Sequence, residues 1–258
     1  MQILLPVIIV TVIGLVAGLG LALASKFMAV PTDEKTEKIR ECLPGANCGA
    51  CGFSGCDGYA AAISDGSAAP DKCAPGGKQT AAALSEVLGV EIEAVEKVAF
   101  IACNKHEGET AYKYEYTGAK SCAAASLVLG SPLACSFGCI GLGDCAAACE
   151  FGAITVKDGV PIVCEDLCGG CGKCAERCPK GVIKLIPKQT QVRVACSNCE
   201  KGAGVVKVCK VSCIACGMCE RACENGAIKV ENNLAKIDYS LCTGCQKCKS
   251  ACKRKAII

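Results

Sequence analysis

The sequence predicts an α+β chain made of several small modules, and three observations point there. First, one cysteine-bearing unit is written twice. CEFGAITVKDGVPIVCEDLCGGCGKCAERC, from Cys149 to Cys178, aligns without a gap with CENGAIKVENNLAKIDYSLCTGCQKCKSAC, from Cys223 to Cys252. A repeat fixes architecture before any other signal does. Second, 27 of the 258 residues are cysteine, Trp is absent and only 4% of residues are aromatic. The ordinary core is therefore thin, bound metal has to supply much of the folding free energy, and the metal-free chain is expected to be largely unfolded. Third, Gln2 to Ser25 carry no charged side chain, which sets them apart from everything that follows.

In chain order, residues 1–30 read as a transmembrane anchor with a short flank. The run is long enough to cross a bilayer as a helix, which takes about 20 residues. A signal peptide would have a basic start and a shorter apolar core, whereas the first cation here is Lys26, after the run. Positive charge following the span puts the remainder on the cytoplasmic side. Gly14 and Gly18 form a Gly-x3-Gly pair of the kind that permits close helix contact, although glycine is common in such helices anyway. Residues 31–98 form a four-cysteine module. A charged helix opens it, capped by Thr32 with Asp33 and Glu34 in the first turn. Cys48, Cys51 and Cys56 follow at x2 and x4 spacing, and Cys73 comes later, before Ala-Pro-Gly-Gly. Four thiolates suit one [4Fe–4S] cluster, and Cys42 competes with Cys73 for the fourth place. Tyr59–Ser64 and Gln79–Val98 read as helices, the second with an apolar stripe of Leu84, Val87, Leu88 and Ile92.

Residues 99–134 are an insertion or linker, and residues 135–190 and 191–258 are the two repeated domains. In each, Cys-x2-Cys-x2-Cys wraps three thiolates around one cubane, and a fourth cysteine further on serves the neighbouring cluster; this crossed ligation is that of two-cluster bacterial ferredoxins. Three motifs are complete: Cys168, Cys171, Cys174 and Cys178; Cys213, Cys216, Cys219 and Cys223; Cys242, Cys245, Cys248 and Cys252. The remaining one is irregular. Cys139, Cys145 and Cys149 match, but Leu142 stands where Cys216 would, and Cys135 is the expected replacement. Together with the N-terminal module this gives at least five [4Fe–4S] clusters. Of the remaining cysteines, Cys103, Cys122, Cys196 and Cys209 could hold a sixth, or be buried thiols acting as small hydrophobes. Zinc ribbons are the rival chemistry, but they use Cys-x2-Cys pairs without the third and fourth residues. Cys42, Cys164, Cys199 and the single histidine, His106, receive no role. Asp158-Gly159 and Asn232-Asn233 each join two short strands in a hairpin, and helices are expected between the third and fourth cysteines.

The composition excludes several classes. A disulfide scaffold is short and secreted, and this chain is neither. A net charge of +3 does not suggest nucleic acid. Gly141-Leu-Gly143 lies inside a cysteine motif and Gly18-Leu-Gly20 inside the apolar run, so neither is a dinucleotide cradle. No catalytic nucleophile or acid–base pair is visible.

The order of these parts resembles the B subunit of the Rnf complex, the membrane-bound ion-translocating ferredoxin:NAD+ oxidoreductase. The likeness is most specific in NCGACGFSGC (Asn47 to Cys56) and KCAPGG (Lys72 to Gly77). It implies an electron-transfer subunit that takes electrons from soluble reduced ferredoxin and relays them to flavin-bearing and other membrane subunits, while the complex reduces NAD+ and moves Na+ or H+. An iron–sulfur subunit of another anaerobic redox complex is the alternative. Glu150, Glu224 and Lys253 depart from the ferredoxin pattern, standing after the remote cysteines where proline is usual.

Overall fold

The computed structural model describes residues 11–20, 33–93, 95–105 and 110–258. Most of the expected anchor, Gln2–Ser25, lies outside these residues; within it, residues 11–20 are helical (α1) and exposed. Among the described residues no helix is long and apolar enough to cross a membrane. His106 also lies outside them.

The N-terminal module is three helices, α2 (Glu34–Cys42), α3 (Cys56–Ser64) and α4 (Gly77–Leu88). Asp33 caps α2 by accepting from Lys35 N–H at 3.4 Å, and Arg40 pairs with Asp57 to tie α2 to α3. Ile39, Tyr59, Ala60 and Leu84 fill the core between the three helices. Helix α3 begins earlier than Tyr59, because Asn47 Oδ1 accepts from Cys56 N–H at 2.8 Å and holds the start of the first turn. Helix α4 ends at Leu88 rather than at Val98, since Gly89 takes a left-handed conformation (φ +68°) and stops it. Leu84 is fully buried, while Val87 is exposed.

Val98 instead lies in β1 (Lys97–Ile101), which pairs antiparallel with β4 (Ile183–Pro187). The segment ahead of the first repeated unit therefore supplies one of its strands. That unit also contains α5 (Cys122–Leu127), α6 (Asp144–Ala147), the hairpin β2–β3 (Ile154–Lys157, Val160–Val163) and α7 (Lys173–Arg177). The second unit repeats this with α9 (Met218–Arg221), β5–β6 (Ile228–Glu231, Leu234–Ile237) and α10 (Lys247–Ala251), preceded by α8 (Gly202–Val208). Val194 bridges Ile257 in the place where β1 meets β4. The hairpin turns take positive φ at both central residues, Asp158 and Gly159 in one, Asn232 and Asn233 in the other, which matches the right-handed twist of their strands. The short helices fall between the third and fourth cysteines of each motif, as the spacing predicts.

Gly141 shows why the first cluster loop fits closely on its hairpin. A Cβ there would meet the Gly159 carbonyl oxygen at 2.0 Å. The main apolar cores of the two units match: Ile154, Val182 and Ile183 with the thiols of Cys145 and Cys174, and Ile228, Ala235 and Ile257 with those of Cys219 and Cys248; the first unit has a smaller one as well, of Cys122, Ala125 and Ile140.

Candidate iron–sulfur centres

In the N-terminal module, Cys73 lies with Cys48, Cys51 and Cys56. Burial raises the Cys73 thiol pKa first, a hydrogen bond from Gly76 N–H opposes it, and the charges of Cys56, Cys48 and Cys51 raise it further. Tyr59 delivers Cys73 to this place. Its hydroxyl donates to Ala69 O at 2.8 Å and accepts from Lys72 N–H at 3.0 Å, pinning the strap before Cys73 to α3. Sequence reasoning missed this tyrosine. Cys42 faces elsewhere: its thiol donates to Lys38 O within α2, and the charges it feels after burial are Glu41 and Glu86.

The repeated units bring cysteines together across each motif pair. Cys213, Cys216 and Cys219 line one cavity with Cys252 from the other motif. Cys242, Cys245 and Cys248 line another with Cys223. In the first unit, burial raises the Cys174 thiol pKa to about 11, and the charges of Cys168, Cys171, Cys145 and Cys149 raise it further; Cys149 and Cys168 both pack against the apolar core that contains Cys174. Cys139 and Cys145 line a cavity with Cys178. The fourth cysteine of that cavity differs from the expectation: it is Cys122 rather than Cys135. Leu142 removes the local cysteine, and α5 brings Cys122 in from the insertion. Asp144 holds α5 there, its carboxylate accepting from Cys122 N–H at 2.8 Å, Ala123 N–H at 2.9 Å and the Ser121 hydroxyl at 2.9 Å. Burial opposes ionisation of Asp144, but these donors and Arg177 outweigh it and lower its pKa. In the second unit Met218 stands where Asp144 does and Cys216 where Leu142 does. The two differences together are the signal that could have found Cys122.

Cys135 lies in a separate cavity with Cys103, Cys196 and Cys209. Of the grouping Cys103, Cys122, Cys196 and Cys209, the structure thus brings three together and places Cys135 where Cys122 was expected. The reason is the same insertion: it spends Cys122 on the first unit and frees Cys135. Cys164 is exposed, and Cys199 donates to Ser197 O; neither joins a set.

The glutamates that replace proline also find partners in matched positions. Glu150 accepts from Lys173 at 2.5 Å, and Glu224 pairs with Lys247.

The fit to iron–sulfur clusters rests on three features. The thiols converge in sets of four around shared cavities, several of the sets are buried in apolar cores, and backbone amides point at sulfur, as Ala99 N–H does at Cys168 (3.4 Å). Among the described residues no group of three or more Cys, His, Asp or Glu side chains converges on a single metal-ion position. Ile140, Ile154 and Ile228 are buried beside the motifs, and Ile214 lines its cavity half-buried.

The fold and its thiols define a multi-centre iron–sulfur protein. Comparison with known proteins agrees. The family described as "Putative Fe-S cluster" matches residues 43–75, and the 4Fe-4S binding domain matches residues 165–184 and 235–258. The chain is 45% identical to the B subunit of the Na(+)-translocating ferredoxin:NAD(+) oxidoreductase complex of Acetobacterium woodii, over 99% of this chain and 77% of that one. It is 40% identical to the B subunit of the proton-translocating complex of Clostridium ljungdahlii, over 97% and 90%. It is 38% identical to the B subunit of an ion-translocating oxidoreductase complex of Methanosarcina acetivorans, over 95% and 94%. The chain belongs to this family, the B subunits of Rnf-type ion-translocating ferredoxin:NAD+ oxidoreductase complexes.

Proposed function

We propose that the chain is the electron-relay subunit of its complex, anchored by a single N-terminal span with its cluster modules on the cytoplasmic side. It takes electrons from soluble reduced ferredoxin and hands them to flavin-bearing partner subunits, while the complex reduces NAD+ and moves an ion. The relatives' names differ in that ion, Na+ in one and H+ in another, so the ion is a property of the whole complex. The observation that carries the reading is the convergence of Cys213, Cys216 and Cys219 with Cys252 from the opposite motif, the crossed pattern of two-cluster ferredoxins.

Five [4Fe–4S] sites follow. Cys48, Cys51, Cys56 and Cys73 hold the first. Cys149, Cys168, Cys171 and Cys174, and Cys122, Cys139, Cys145 and Cys178, hold two in the first ferredoxin unit. Cys213, Cys216, Cys219 and Cys252, and Cys223, Cys242, Cys245 and Cys248, hold two in the second. Each cluster, when bound, supplies reversible one-electron chemistry. The protein excludes water with the isoleucines beside each motif and stabilises thiolate with backbone N–H groups. Contact between the modules supports a continuous series. Burial raises the Cys171 thiol pKa first; a Lys173 N–H hydrogen bond opposes it, and the charge of Cys48, a member of the N-terminal set, is among those that add to it. Gly169 lies so close that a Cβ there would come within 3.3 Å of Pro75.

The test is to purify the chain anaerobically from membranes with its partners. The account expects brown protein with acid-labile sulfide, paramagnetic signals after dithionite, and flavin-bearing partners that support ferredoxin-dependent NAD+ reduction. Colourless, zinc-containing protein, or clusters in a chain that separates from membranes with no such partner, contradicts it.

A further inference from the structure

We infer that Cys103, Cys135, Cys196 and Cys209 form a sixth [4Fe–4S] site, built between the two ferredoxin units from matching halves of each. It rests on the iron–sulfur reading above and extends it to four cysteines outside the ferredoxin motifs. The halves correspond residue by residue. Cys135 and Cys209 are counterparts in the repeat, as Cys149 and Cys223 are, and Ala102-Cys103 corresponds to Ala195-Cys196. Ala102 N–H donates to Val182 O at 2.7 Å, and Ala195 N–H to Ala256 O at 2.8 Å. Val182 and Ala256 are themselves counterparts in the repeat. The halves are laced together: Asn104 N–H donates to Ala195 O at 2.8 Å, and the Ser197 hydroxyl returns to Ala102 O at 2.9 Å.

All four cysteines line one cavity, and each sulfur accepts a hydrogen bond. Cys139 N–H donates to Cys103 Sγ at 3.4 Å, and its repeat counterpart Cys213 N–H donates to Cys196 Sγ at 3.3 Å. Asn198, 1% exposed, points its side-chain amide at Cys135 Sγ (3.5 Å) and its backbone N–H at Cys196 Sγ (3.5 Å). The Thr110 hydroxyl lies 3.6 Å from Cys209 Sγ. Donors aimed at sulfur stabilise thiolate over thiol and oppose the burial of these cysteines.

A buried cation completes the site. Lys105 is 5% exposed and lines the cavity. Its ammonium lies 3.3 Å from the Tyr112 hydroxyl and 3.5 Å from Ile140 O. Among the described residues no carboxylate lies within ion-pair distance of it. Four thiolates around a cubane carry net negative charge, which an ammonium lining the same cavity would favour. The location gives the site its use. Cys139 and Cys213 belong to the proposed sets of the first and second units, and the amide of each donates to a sulfur of this set. The sixth site joins two pairs of clusters that would otherwise be separate.

The direct test is the iron and acid-labile sulfide content of the full-length chain after anaerobic reconstitution. Six sites require about 24 of each per chain, five require about 20. Cys196→Ser and Cys209→Ser are each expected to remove about four of each, while Cys164→Ser removes none. Asn198→Leu is expected to change one of the paramagnetic signals of the dithionite-reduced protein, because it deletes a donor to sulfur. About 20 iron in the wild type with no loss in Cys196→Ser, about 20 iron with one zinc, or an unaltered Asn198→Leu spectrum overturns the sixth site and leaves the other five intact. Absence of all acid-labile sulfide overturns the iron–sulfur reading itself.

Discussion

The two ferredoxin units share a fold and differ in where one thiol comes from. In the second, Cys216 lies inside its motif, midway between Cys213 and Cys219. In the first, Leu142 holds that position and Cys122 arrives on a separate helix, from well ahead of Cys139 in the chain. The change is compensated at a second position, because Asp144, which replaces Met218, is the residue that holds the incoming helix. Leu142 itself packs against the small core of Cys122, Ala125 and Ile140. On the ligand sets proposed above, a cysteine set is specified by the space the thiols share, and a motif can lose a member if an insertion returns one. The same insertion leaves Cys135 for the interface between the units.

The largest effect expected from this difference is on metal removal. Stripping iron with a chelator under reducing conditions is predicted to abolish most of the far-UV circular dichroism of both units, since their cores contain the cysteines themselves. Reconstitution should restore the second unit at lower iron and sulfide than the first, because its ligands are near one another in sequence and close shorter loops. Equal loading of the two units, followed by limited proteolysis, would remove that asymmetry.

Asp144→Ala should loosen α5 and destabilise the first unit by about 0.5–2 kcal/mol, the usual range for a lost cap, whereas Met218→Ala at the matched position lacks any such effect on a capped helix. Denaturant-induced iron release from each variant checks this. Tyr59→Phe should cost the N-terminal module about 1 kcal/mol by removing one hydroxyl with two partners, with iron lost from that module first. The smallest effects belong to the matched surface pairs. Lys173→Gln and Lys247→Gln should leave stability unchanged within error at moderate salt, because exposed ion pairs are screened. A large change in one and not the other would mean that the units differ in more than the borrowed ligand.

What is legible in the sequence is what is local. The Cys-x2-Cys-x2-Cys-x3-Cys runs and the Asp158-Gly159 and Asn232-Asn233 turns are set by residues a few positions apart, and the structure has the hairpins and short helices where the spacing predicts them. The helix from Gln79 is shorter than its pattern suggests, because the amphipathic stripe continues past Gly89 while the left-handed backbone there stops the helix. The strand Lys97–Ile101 is not legible, since its partner Ile183–Pro187 lies beyond both cysteine motifs of the first unit. The exchange of Cys122 and Cys135 escapes a sequence reading for a like reason. Cys135 is nearer to Cys139 along the chain, whereas Cys122 reaches the cavity of Cys139 and Cys145 through contacts made by α5, among them its hydrogen bonds to Asp144 and its packing on Ile140.

The most direct test of the borrowed ligand is a relocation. Cys122→Ser should lose about four iron per chain, and adding Leu142→Cys to it should return them by rebuilding the motif of the second unit. Full recovery in the double variant, with the iron of Cys122→Ser reduced, is the predicted result; an iron count unaffected by Cys122→Ser would contradict the account.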